Sequence, residues 1–67
     1  MEKNQLAQRI RAFRKLKGFT QSELAEMMGV SIAVLGSIER GTRNADAKII
    51  QNISDALGID KDELANG

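Results

Sequence analysis

The chain has 67 residues and a formal net charge of +1, which leaves room for one small domain; a chain this short buries only about 60% of the surface it exposes when unfolded. It contains no cysteine and no histidine, which excludes disulfide staples, thiolate zinc sites, the commonest metal ligand and the commonest acid–base catalyst. No apolar run approaches the roughly 20 residues of a membrane span and the N-terminus has no signal-peptide pattern, so a cytoplasmic protein that uses no metal or cofactor is expected.

The predicted elements are all helical. Leu6, Ile10, Phe13 and Leu16 recur at three-to-four spacing, so a first helix is expected from about Asn4 to Lys17, ended by Gly18. Thr20 opens a second helix, with Glu23 three residues on in the capping-box pattern and Leu24, Ala25 and Met28 facing inward. Gly29 closes it. Ser31 caps a third helix with Leu35 and Ile38 inward, and Gly41 ends it. After the polar loop Thr42-Arg43-Asn44, Asp46 caps a fourth helix whose expected inward face is Ala47, Ile50, Ile53 and Leu57, terminated by Gly58. Asp60 with Glu63 forms another cap pair before a short last turn carrying Leu64. The expectation is an all-α fold of five short helices in one domain, residues 1–67, with no repeat and no linker.

The charge is uneven along this chain. Residues 1–43 hold eight basic residues against four acidic ones, and residues 44–67 hold two against five. A basic front half beside an acidic tail suits an anionic partner on one side of the molecule.

The second and third helices are separated only by Gly29 and Val30 ahead of the Ser31 cap. So short a connection makes them cross steeply. It demands a residue tolerant of left-handed φ, which Gly29 is, and a small residue at the crossing, which Ala25 is.

The stretch TQSELAEMMGVSIAVLGSIERG, residues 20–41, resembles the helix-turn-helix of the lambda-repressor-like (Cro/XRE-type) DNA-binding domains. The shared features are Thr20-Gln21, Leu24-Ala25, Gly29-Val30-Ser31, Leu35 and Ile38-Glu39-Arg40-Gly41, in order and at fixed spacing. Arg11 and Arg14 before them, and Ala56-Leu57-Gly58-Ile59 with Glu63-Leu64 after them, extend the likeness over nearly the whole chain. The resemblance implies a compact five-helix domain whose motif, about residues 20–40, places the third helix in the DNA major groove. It implies phosphate contacts from Thr20, Gln21, Arg40, Thr42, Arg43 and Asn44, and a structural ion pair between Arg14 and Glu39. It also implies a homodimer on a two-fold operator, joined through Ile59, Leu64 and Ala65, with C-terminal core packing as the other reading of those side chains.

With Leu35 and Ile38 inward, a 100° step per residue puts Ser31 on the inner side at the cap and turns Ala33, Gly36, Ser37 and Arg40 outward. The resemblance puts Ile32, Ala33, Gly36 and Ser37 at base-facing positions. Members of the family often carry Gln, Arg, Asn or Lys there, and this chain does not. Each missing bidentate pair forfeits about 1–3 kcal/mol of base discrimination. What is left is van der Waals contact with thymine methyls and one hydroxyl, so groove shape and half-site spacing must share the specificity.

The expected function is therefore double-stranded DNA binding by a transcriptional regulator, a repressor in the first instance. A protein-interaction module built on the same fold is the alternative, favoured by apolar Ile32 and Val34. An enzyme is not expected, because no base is paired with a nucleophile. No small-molecule pocket or membrane partner is evident.

Overall fold

The computed structural model describes residues 2–66, with side chains from 5 to 65; Met1 and Gly67, the ends of the expected domain, lie outside the described residues. Five helices follow one another: α1 (Glu2–Leu16), α2 (Gln21–Met28), α3 (Ile32–Glu39), α4 (Ala47–Leu57) and α5 (Lys61–Asn66). Helix α1 begins two residues before the expected start and stops one residue earlier. The Cα radius of gyration is 10.3 Å, close to the roughly 11 Å of a compact chain of this length.

Local chemistry sets the helix ends. Thr20 and Glu23 form a reciprocal capping box: Glu23 N donates to Thr20 Oγ1 at 3.1 Å and Thr20 N to Glu23 Oε1 at 2.8 Å. Ser31 accepts from Val34 N, and Asp46 from Ile49 N. Each cap satisfies one N–H that the helix cannot, which is worth about 1 kcal/mol. At the other ends paired bonds turn the chain back. Val30 N reaches Ala25 O while Gly29 N reaches Glu26 O, and Thr42 N reaches Ser37 O while Gly41 N reaches Ile38 O. This closure needs a left-handed residue, and Gly29 and Gly41 hold φ of 75° and 77°. The same pairs close α1 and α4. Among the described residues, no helix is long and apolar enough to cross a membrane.

The core lies where the helices meet. Ile10, Leu24, Leu35, Ile53 and Leu64 are fully buried, and Ala25, Met28, Ile38 and Leu57 are nearly so. Helix α2 packs on α3 and α4, α3 also on α1, and α5 bridges α1 and α4. Two distant hydrogen bonds tie these layers. Asn52 Nδ2 donates to Met28 O at 2.9 Å, joining α4 to the C-terminus of α2. Arg9 Nε donates to Leu64 O at 2.7 Å and Arg9 Nη2 to Glu63 O, so α1 holds the carbonyls of α5.

Three inward expectations need correction. Leu16 is 77% exposed; the chain reverses at Gly18, and Phe19 packs against the core in its stead. Ala47 is exposed because it opens the first turn of α4, beyond the edge of the core that Ile53 and Leu57 fill. Ser31, expected on the inner side, is exposed, with its hydroxyl taken up by the cap.

Candidate nucleic-acid interface

The best-supported constellation spans the N-terminus of α2 and the outer side of α3. At its base is a buried ion pair. Arg14 Nε donates to Glu39 Oε2 at 2.8 Å and Nη2 to Oε1 at 3.1 Å, with the two side chains 12% and 2% exposed. Arg14 Nη1 also donates to Phe19 O at 3.1 Å. A planar guanidinium suits this fork, which fixes α3 against α1 and the turn that follows α1.

Gln21 joins the same network. Its Nε2 donates to Glu39 Oε1 at 3.3 Å, so the side chain lies back over α3 and is half-buried. The Glu39 carboxylate thus takes three donors from two elements, and no buried side-chain polar atom lacks a partner among the described residues. Sequence reasoning placed Gln21 at the start of α2 but missed this bond. Nothing local signals it, because 18 residues separate the partners.

The expected base-facing residues divide. Ile32 is 51% exposed and Ala33 is exposed. Ser37 is half-buried, and its Oγ donates to Ala33 O at 3.0 Å; the hydroxyl proton is thereby engaged, and the oxygen keeps acceptor capacity. Gly36 was expected on the outward face and is buried. The side chains that cover it are Arg40 and Gln21: an ideal Cβ at Gly36 would lie 3.2 Å from Arg40 Nη1 and 3.8 Å from both amide atoms of Gln21. Arg40 follows Gly36 by four residues on one helix face, which is a legible signal; the arrival of Gln21 from α2 is not.

The expected phosphate-contacting residues are Thr20, Gln21, Arg40, Thr42, Arg43 and Asn44. All except half-buried Gln21 are exposed. Gln21 and Arg40 come together over Gly36. Thr42 Oγ1 donates to Ser37 O at 3.1 Å, which ties the loop to the end of α3. Thr20 uses its hydroxyl oxygen in the cap, leaving the proton to donate. Arg43 borders a small niche lined by Leu6, Ala7, Ile10, Ile38 and Ala45. The positive end of the α2 dipole adds to the field of these donors.

Of the expected dimer residues, Leu64 is fully buried and is corrected to the core: it plugs the junction of α1, α4 and α5. Ile59 is half-buried against that core and Ala65 is exposed.

Known proteins share the sequence pattern and the fold. The helix-turn-helix family model HTH_3 matches residues 10–64. The uncharacterized HTH-type transcriptional regulator YazB of Bacillus subtilis is 54% identical over 65 residues, which is 97% of this chain and 94% of that protein. The HTH-type transcriptional regulator SinR of Bacillus licheniformis is 39% identical over 91% of this chain, which spans 56% of SinR. Among solved structures, the restriction-modification controller protein C.AhdI from Aeromonas hydrophila superposes with a TM-score of 0.87 at 36% identity, covering 91% of this chain and 92% of that one. The chain therefore belongs to the HTH_3 (Cro/XRE-type) helix-turn-helix family of DNA-binding transcriptional regulators.

Proposed function

We propose that this regulator binds double-stranded DNA sequence-specifically, with α3 in the major groove and the N-terminus of α2 on the flanking phosphates. The observation that carries the reading is the pairing of Gln21 and Arg40 over Gly36, beside the exposed Ile32 and Ala33. It puts anion donors next to an exposed apolar surface that can meet base edges. In this reading Ile32 and Ala33 meet thymine methyls. Ser37 Oγ, its proton held by Ala33 O, accepts from the amino group of adenine or cytosine. Arg43, Asn44, Thr20 and Thr42 hold the backbone and set register without reading sequence.

Few base hydrogen bonds mean weak binding by one copy, so we propose a homodimer on a two-fold site, using Ala65 and the exposed edge of Ile59. Repression is the regulatory outcome we propose, by occupancy of the operator. The relatives come from bacteria and their phages, where a DNA partner means a cytoplasmic location.

Titration of the protein into labelled mixed-sequence duplex at two salt concentrations tests the reading. Affinity that falls steeply with salt supports it, through release of condensed counterions; absence of binding at low salt refutes it. A protein-interaction role is the second reading, favoured by the exposure of Ile32, 51%. It predicts no salt-dependent duplex binding. Selection of bound sites from random DNA then gives the operator.

A further inference from the structure

We propose that Gly36 is a positioning residue for DNA contact: its missing side chain is what lets Gln21 and Arg40 lie side by side over α3. The inference rests on the DNA reading above and names a residue that acts through two others.

Glycine is the poorest helix former after proline, and α3 has only eight residues. No backbone requirement explains it here, because Gly36 is not among the glycines with positive φ. Nor is the position open to solvent, since it is buried. What occupies the space is polar. Arg40 Nη1 and both amide atoms of Gln21 come within 4 Å of the point where a Cβ would stand. Gln21 is anchored from beneath by Glu39, which Arg14 grips in turn. The amide therefore keeps one N–H on Glu39 and has a second to offer. The guanidinium of Arg40 lies beside it at the positive end of α2. Gln21 is thus set before DNA arrives, which lowers the ordering cost of binding, and the exposed Arg40 shares the space over Gly36 with it. A Cβ at 3.2 Å from Nη1 pushes the guanidinium aside by a few tenths of an ångström; a longer side chain must take the space that both groups fill. Helix stability and anion contact are opposed at this one position.

The test compares the full chain with Gly36→Ala, Gly36→Leu, Arg40→Ala and the Gly36→Leu/Arg40→Ala double variant. Three readouts serve: thermal unfolding, titration of mixed-sequence duplex at two salt concentrations, and the side-chain amide NMR signals of Gln21 without DNA. Gly36→Ala is expected to melt about 4 °C higher while binding duplex about threefold more weakly. Gly36→Leu is expected to bind roughly tenfold more weakly, with a salt slope reduced by about one phosphate contact, near 0.9. It should also move the Gln21 amide signals and cost much less in the Arg40→Ala background. Wild-type affinity and slope in both Gly36 variants, unmoved Gln21 signals, or an undiminished loss in the double variant would each overturn the proposal. Should Gly36→Leu fail to fold, Gly36→Ala decides. Absence of duplex binding by the unaltered chain sinks the DNA reading and this inference together, whereas unaltered binding with unaffected variants sinks only the role of Gly36.

Discussion

Arg14 and Glu39 lie 25 positions apart in sequence and meet as a fork, Nε to Oε2 at 2.8 Å and Nη2 to Oε1 at 3.1 Å, where Gln21 of α2 joins α1 and α3. Replacing one partner strands the other in a site with almost no water. Arg14→Leu is expected to destabilise by about 3 kcal/mol, lowering the unfolding midpoint by roughly 12–24 °C in a domain this small. Arg14→Leu/Glu39→Leu should recover most of that loss, because two apolar side chains leave no charge unsolvated. Thermal melts of the three proteins check it, and a double variant no more stable than the single would show that the fork matters for more than charge balance.

In the proposed complex with DNA, Arg43 and Ser37 divide the two parts of recognition. Arg43 is an exposed cation in the loop after α3. Arg43→Ala should weaken binding to every duplex alike and reduce the salt slope by about 1. Ser37 offers an oxygen whose proton is already held by Ala33 O. Ser37→Ala should leave the salt slope unchanged and relax preference at one base position, by about 1 kcal/mol for a single hydrogen bond. Site selection from random duplexes, run on both variants, separates the effects. Equal, uniform losses in the two variants would remove Ser37 from the base-reading surface.

Gly29 sets the angle between α2 and α3. At φ 75° an alanine pays the left-handed penalty whatever space surrounds it, and a Cβ there meets nothing within 4 Å. Gly29→Ala is therefore expected to destabilise by about 1–2 kcal/mol through backbone strain alone. Gly36→Ala should act in the opposite sense, since its backbone is ordinary helix. Denaturant unfolding of the two variants side by side provides the contrast.

Arg9 holds the C-terminal carbonyls of α5 and stacks over Phe13, its guanidinium carbon 5.7 Å from the ring centre. Arg9→Ala should speed amide hydrogen exchange in α5 more than in α2 or α3, because α5 has only six residues and little cooperativity of its own. Ala65→Asp touches the exposed end of the same helix. It should leave the melting curve nearly unchanged and abolish the proposed dimer, seen by comparing its sedimentation and its cooperativity on a two-half-site duplex with those of the unaltered chain. A variant that still dimerises would move the interface elsewhere.

Helix number, helix ends and most of the core were legible in the sequence. The caps at Thr20, Ser31 and Asp46 and the reversals at Gly18, Gly29, Gly41 and Gly58 depend on groups within six residues of one another, so local chemistry suffices. The periodic apolar residues identified Ile10, Leu24, Leu35, Ile38, Ile53 and Leu57 as core, and the motif spacing carried the family. Sequence periodicity failed at Leu16 and Ala47, where a helix runs past the bundle: a 3.6-residue period marks a face but not where the neighbouring helix stops. Only the tertiary structure decided that Gln21 turns back to Glu39, that Gly36 is roofed by Gln21 and Arg40, and that Leu64 fills the core instead of lying on a surface. Each of these depends on where one helix sits across another, and that placement is set by summed packing of the core, which no local stretch of sequence contains.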